Sequence, residues 1–356
     1  MQAAVARGTT LEVAELEDPR PGSGHVLVKT LACGICGSDL HAAQDLRRFS
    51  ELTSRVGGPG GLDPDRDLVF GHEFCAQIVD FGPDTQRSLA IGTAVCSLPV
   101  IIGPTGPRPL GYSNDFPGGL AELMTLQELL LLPVPDGLAP EHAALTEPLA
   151  VGRHAVARAE LTGGEACLVV GAGPVGLAVI AALHEQGVGP IIAADFSPTR
   201  RRLAELLGAD EVVDPAVRSP HASWADLGLP TGVGERAMME MLGVPVRDCV
   251  IFEAVGSPGV LQGIVDGAPP RARVVVVGVC MQPDGIEPFV AVAKELDVRF
   301  AFGYSPDEFA ATLEVLGRHE LPADALITLR VGLDGVADAF DALRGPTDHG
   351  KVLVQH

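Results

Sequence analysis

The sequence predicts an α/β protein of two domains, one a doubly wound parallel sheet and the other rich in β-structure, and three observations predict it. The chain has 356 residues, beyond the length at which a single hydrophobic core usually stops growing. Its texture changes near Cys167, from short apolar runs broken by Gly and Pro to a succession of apolar strand, glycine turn and helix. Leu168–Gly176, LVVGAGPVG, sets three glycines between a predicted strand and a predicted helix.

In the first domain, His25–Leu31, Leu68–Phe70 and Ala76–Phe81 read as strands separated by irregular loops. In the second, Ala166–Val170 is the first strand, followed by a helix over Pro174–Gln186 whose apolar face suits a sheet. Ile191–Ala194 is the next strand. A helix over Pro198–Leu207 has Ser197 as N-cap and Pro198 at its first position, and Gly208 stops it. Cys249–Ala254 and Arg273–Val279 are further strands. The nearly continuous valines of the latter suit a strand covered on both faces. Residues 215–247, with His221, Trp224 and a helix-like Glu235–Leu242, read as an elaboration of a crossover. From Leu296 the chain is expected to return to the first domain. The domains are therefore drawn at 1–152 with 296–356, and at 153–295.

Composition excludes several functions. With 46 acidic against 25 basic residues the formal charge is −21, which repels a phosphate backbone and disfavours nucleic acid as a partner. Apolar residues make up 47% of the chain, yet no uninterrupted run reaches the ~18 residues of a membrane-spanning helix. The N-terminal residues lack the basic start and apolar middle of a secretory signal, so a cytoplasmic location is expected. Seven scattered cysteines are an odd set for a disulfide framework and read as reduced thiols, some of them metal-bound.

The glycine segment carries a dinucleotide site. Gly171 permits the tight turn, Gly173 lets backbone approach a pyrophosphate, and Gly176 lets helix and strand pack closely. Pro174 and Val175 open the helix, whose unpaired N–H groups face the phosphates. Asp195, at the end of the second strand, can accept hydrogen bonds from ribose hydroxyls and would repel a 2′-phosphate, so NAD is favoured over NADP. Arg200, Arg201 and Arg202 nearby are the residues that keep NADP in view.

A metal site is carried by Cys33–His41, CGICGSDLH, and Gly71–Phe74, GHEF. No second CxxC follows to complete a four-cysteine site, so Cys36 needs partners from elsewhere. His72 is the obvious one, since thiolate and neutral imidazole are favoured zinc ligands. Glu73 and Glu147, the latter in LTEPLAVG, are the carboxylate candidates.

GxCGSDxH, GHE, EPLAVG and GAGPVG, in this order, resemble the zinc-containing medium-chain dehydrogenases, especially the sorbitol and butanediol dehydrogenase branch, over essentially the whole chain. The resemblance implies a Rossmann domain joined to a GroES-like catalytic domain, with one catalytic zinc and NAD. It implies Cys36, His72 and Glu147 as first-choice ligands, Glu73 as a carboxylate that alternates with Glu147 or stands behind the ligands, and Asp39 orienting His72 through its other ring nitrogen. It further implies a proton path from the Ser38 hydroxyl, through the cofactor ribose, to His41. Two departures stand out. Ala94–Gly119 contains only Cys96, so the structural zinc of many relatives is expected to be absent. The stretch between Cys36 and His72 is long, and its loop Val56–Asp67, glycine at 57, 58, 60 and 61, suggests a flap near the substrate.

The implied reaction moves a hydride between an alcohol carbon and NAD. The substrate expected is a secondary alcohol, diol or polyol, or the matching carbonyl compound. By family position Phe49, Phe116, Leu120 and Met281 would line the pocket, and Arg200 would join Asp195 at the cofactor. A homodimer or homotetramer is implied, with Arg273–Val279 near the interface. Two other readings remain: a zinc-free quinone or enoyl reductase, and a non-catalytic NAD-binding protein.

Overall fold

A computed structural model describes the chain except for residues 9, 57–61, 104–105 and 346–347. The chain divides into two compact units, Met1–Pro148 with Phe309–His356, and Leu149–Glu308.

The first unit is built on a seven-stranded sheet. Along it run Leu131–Pro133, Ala94–Ser97, Glu73–Phe81, His25–Gly34, Lys351–Gln355 and Ile327–Val331, while Leu123–Gln127 pairs with the long His25–Gly34 strand. His25–Gly34 anchors the sheet because its apolar residues alternate inward: Val26 and Val28 are fully buried while Lys29 points out. Phe70, Phe74, Ile78, Met124, Leu126 and Phe340 fill the core behind it. A three-stranded sheet, Thr10–Glu15, Gln2–Arg7 and Leu68–Val69, and a hairpin of Val100–Gly103 with Gly106–Pro109 complete the β-structure.

The second unit is a six-stranded parallel sheet. Its order is Glu211–Val213, Ile191–Ala194, Ala166–Val170, Cys249–Glu253, Arg273–Val276, Asp297–Phe300. This is the doubly wound order whose reversal falls beside the first strand, where such sheets bind dinucleotides. Ala166–Val170 and Ile191–Ala194 are almost wholly buried, as strands covered on both faces must be. The helix Pro174–Glu185 lies on the sheet through an unbroken buried run from Gly176 to Leu183. Ser197 caps Pro198–Leu206 by accepting the Arg200 N–H at 3.2 Å.

The elaboration over 215–247 contains a short helix, Ser223–Asp226, that places Trp224 fully inside the core, and a longer one, Val233–Met241. The units change at Glu308 and Phe309 rather than at Leu296. The physical reason is Asp297–Phe300, which hydrogen-bonds beside Arg273–Val276 as the sixth parallel strand. The first change, at Pro148 and Leu149, lies close to the expected one at residue 152. Among the described residues no helix is long and apolar enough to cross a membrane.

Candidate active site

In the first unit, the strand His25–Gly34 leads into Cys36, which stands at the N-cap of the helix Gly37–Gln44. Asp39, in the first turn of that helix and fully buried, accepts the Cys36 backbone N–H at 3.1 Å and so fixes the cysteine's backbone. His72 and Glu73 arrive from the start of Glu73–Phe81, paired antiparallel with His25–Gly34 in a register that sets Glu73 opposite Gly34. Ligand atoms of Cys36, His72 and Glu73 all lie within 4.8 Å of one another, the one such group among the described residues. Asp39 Oδ1 is 3.3 Å from His72 Nδ1. That nitrogen is buried and makes no hydrogen bond of acceptable geometry. A thiol, an imidazole and a carboxylate converging at this spacing, with Asp39 behind the ring, fit a zinc ion in donor chemistry.

Charge around the cluster is strongly coupled. Burial opposes a charged His72 ring, but Asp39 and Cys36 outweigh it and hold its pKa well above the ordinary value. Lys351, from the last strand, sends Nζ to both Glu73 oxygens at 2.7 and 2.6 Å and to the Ile35 carbonyl at 3.2 Å. Burial works against its charge as well, yet Glu73 and Cys36 raise its pKa on balance. Glu147, buried in the first turn of Thr146–Ala159, does not complete a close group with Cys36 and His72. Glu73 is the third converging group because its strand delivers it beside His72, whereas Glu147 comes from a separate helix.

Ser38 and His41 lie on the helix that follows Cys36, both half-buried. Burial lowers the His41 pKa and favours the neutral ring. Tyr112, unmarked by any motif, places its phenol oxygen 2.8 Å from Ser38 Oγ and 2.8 Å from Asp39 Oδ1. Burial, Asp39 and Cys36 push its pKa up, which keeps the phenol protonated. Phe49, from the helix Leu46–Arg55, packs its ring tilted against Tyr112 with centroids 4.9 Å apart. The long stretch is therefore in part a helix. Its residues 57–61 lie outside the described residues, and Asp63–Asp67 is held by Asn114. Leu120 is fully buried core, Phe116 meets His25 edge-on, and Met281 is half-exposed in the second unit.

In the second unit, Gly171 turns at φ +92° and closes on the second strand through its N–H to Ala194 O at 2.8 Å. A Cβ on Gly176 would fall 1.8 Å from Gly171 O, so only glycine allows the helix to sit this close to the turn. Gly173 is the N-cap, Pro174 opens the helix, and Val175 lies in its first turn. Both Asp195 oxygens are engaged, accepting Ala172 N–H at 2.9 Å and Ser197 N–H at 2.8 Å. This bolts the carboxylate to the glycine turn. Arg200 Nη1 is 3.9 Å from Asp195 and 3.9 Å from the position of a Cβ on Gly173. Arg201 instead serves the Asp195 and Phe196 carbonyls and Asp214, and Arg202 reaches Thr199. A glycine cradle that a side chain would fill, at the N-terminus of a long helix, fits a dinucleotide.

A parallel sheet with this cradle and a β-rich unit with this donor set define an oxidoreductase of the zinc-dependent, nicotinamide-linked class. Residues 22–136 match the alcohol dehydrogenase GroES-like domain and residues 174–318 the zinc-binding dehydrogenase domain. The chain is 31% identical to (R,R)-butanediol dehydrogenase of Bacillus subtilis (strain 168), over 97% of this chain and 96% of that one. It is 27% identical to the sorbitol dehydrogenase of the same organism, over 99% and 97%. The crystal structure of 2R,3R-butanediol dehydrogenase from Bacillus subtilis superimposes with a TM-score of 0.78 at 30% identity, covering 100% of this chain and 99% of that one. A protein described as a zinc-binding dehydrogenase from Sinorhizobium meliloti 1021, bound to NADP, gives 0.80 at 27% identity, covering 100% and 99%. The chain belongs to the zinc-dependent medium-chain dehydrogenase family, and it is an oxidoreductase acting on small-molecule alcohols. The zinc-free reductase and the non-catalytic readings are set aside by this membership and by the converging metal donors.

Proposed function

We propose that the chain oxidises a secondary alcohol, diol or polyol with NAD, or reduces the matching carbonyl compound, using one zinc ion and no structural zinc. The observation that carries the reading is the convergence of Cys36, His72 and Glu73 within 4.8 Å, with Asp39 3.3 Å behind His72. Cys36 thiolate and His72 Nε2 would hold the ion, with Nδ1 left to Asp39. Glu73 and Glu147 compete for the remaining protein position, Glu73 with its oxygens shared with Lys351. When bound, zinc supplies Lewis-acid polarisation of the substrate oxygen and the nicotinamide supplies the hydride chemistry. The protein's own part in the chemistry is orientation and proton handling. Ser38 Oγ accepts the alcohol proton as its own passes on, and His41, held neutral by burial, takes up a proton at the far end of the path.

At the dinucleotide, Gly171, Gly173, Pro174, Val175 and Gly176 receive the pyrophosphate. Asp195, fixed by two backbone N–H groups, faces the ribose and favours NAD, with Arg200 beside it as the residue that would tolerate a phosphate. The Sinorhizobium protein's NADP marks that choice as the one to test. Phe49 and Phe116 are proposed for the substrate wall. Leu120, inside the core, is withdrawn from it.

Asp297–Phe300 is the edge strand of the parallel sheet, and Phe300 and Phe302 are exposed there. We propose a homodimer or homotetramer formed at this edge, next to Arg273–Val276. Light scattering that shows a stable monomer would refute it. The protein is proposed to work in the cytoplasm.

The deciding experiment is metal analysis of the purified protein together with a panel of secondary alcohols, diols and polyols assayed by NADH or NADPH appearance. About one zinc per chain, and activity lost on chelation and regained with zinc, is expected. Absence of zinc with undiminished activity after chelation would reject the reading.

A further inference from the structure

The hairpin Val100–Gly103 with Gly106–Pro109 is followed by a turn that delivers Tyr112 to the metal cluster. Gly111, at φ +80°, makes that approach possible, since a Cβ on it would lie 3.0 Å from Gly71 N, immediately before His72. The Tyr112 ring is then wedged between Phe49 at 4.9 Å, His72 at 5.3 Å and Phe70 at 6.2 Å. Its position leaves the phenol oxygen little freedom.

That oxygen is 2.8 Å from Ser38 Oγ and 2.8 Å from Asp39 Oδ1. A phenol has one proton to give, and here it lies between two acceptors, Ser38 Oγ and the Asp39 carboxylate. One Ser38 lone pair thus accepts from the phenol, which leaves the other free to accept and the serine's own proton free to be passed on. Asp39 meanwhile accepts the Cys36 N–H through Oδ2 and lies beside His72 through Oδ1. We infer that Tyr112 is a positioning residue that binds the Ser38 hydroxyl and the Asp39 carboxylate into one unit, setting the proton acceptor and the orientation of His72 together. It touches neither substrate nor cofactor in this role. The inference rests on the Ser38 and zinc roles proposed above.

Tyr112→Phe keeps the wedged ring and removes only the bridging hydroxyl, and its thermal unfolding against the parent monitors folding. For alcohol oxidation, kcat is expected to fall about tenfold with KM for NAD unchanged. In a Ser38→Ala background the same change should cost less in kcat than in the parent, because one of its two partners is already gone. A residue with a merely structural role would cost the same in both backgrounds. A second readout needs no substrate: competition with a chromophoric chelator should show zinc held about three- to tenfold more weakly, since Asp39 loses a donor. Equal losses of kcat in both backgrounds, or zinc affinity unchanged, overturn the inference. If the parent turns over no alcohol, the functional reading fails by itself, and the zinc competition still decides Tyr112: weaker binding supports its tie to Asp39, unchanged binding overturns it.

Discussion

Lys351 Nζ stands 2.7 and 2.6 Å from the two carboxylate oxygens of Glu73, with side chains 3% and 1% exposed. Such a pair, formed deep in a protein, adds little net stability, because removing both charges from water offsets their attraction. Breaking it is another matter. Lys351→Met should destabilise the first unit by about 3–5 kcal/mol in urea unfolding, since the glutamate is left buried and unpaired. Lys351→Met combined with Glu73→Gln should recover at least half of the loss. A single variant that melts with the parent would show that water already reaches the pair.

Asp39 is fully buried, accepts the Cys36 N–H and faces His72. Asp39→Asn preserves the shape but replaces a carboxylate oxygen by an N–H donor, weakening either the cap on Cys36 or the support of the His72 ring. Zinc affinity should fall about 10- to 100-fold by chelator competition. Retention of full affinity would mean that the carboxylate does not orient the ring.

The nucleotide-binding unit is the more legible part of the sequence because its signals are local. Ala166–Val170 and Ile191–Ala194 are apolar runs between glycine turns, and both occur as the sequence suggests. Asp297–Phe300, DVRF, escapes the same logic: at the sheet edge it carries alternating charge, and Arg299 pairs with Asp297. It resembles a loop more than a buried parallel strand, which is why the domain boundary falls later than the texture suggests. At the metal site, GHE and CGSD mark their own residues. Nothing in KVLVQ marks Lys351 as the partner of a glutamate 278 positions earlier. Tyr112 is equally silent, since its partners Ser38 and Asp39 meet it only after the hairpin has folded across.

Gly176 offers a sharp test of the dinucleotide cradle. A methyl group there would sit 1.8 Å from Gly171 O, and that atom is backbone and cannot swing aside. Gly176→Ala must therefore lift the helix from the turn proposed to hold the pyrophosphate. Overpacking of this kind costs about 1–3 kcal/mol of stability. NADH binding, followed by fluorescence, should weaken more than tenfold, roughly the effect of losing 1.4 kcal/mol. Parental affinity would place the cofactor elsewhere.

His221 makes the stability of the second unit sensitive to acid. Its ring is packed so closely against Gly267 that a Cβ there would lie 2.2 Å from Cγ, and its buried Nδ1 has no hydrogen-bond partner. Burial, aided by the charge of Lys294, lowers its pKa from 6.5 to about 4. The folded state therefore prefers the neutral ring, and the unfolded chain binds the proton more tightly. Stability from this group is complete above pH 6.5 and is lost as pH falls through the window down to about 4. The full loss is on the order of 3 kcal/mol, and the ring's partial exposure reduces it. Between pH 7 and 4.5, the parent should lose more unfolding free energy in urea than His221→Leu, which has no proton to bind at that position. Parallel losses in the two proteins would assign the acid sensitivity to the carboxylates instead.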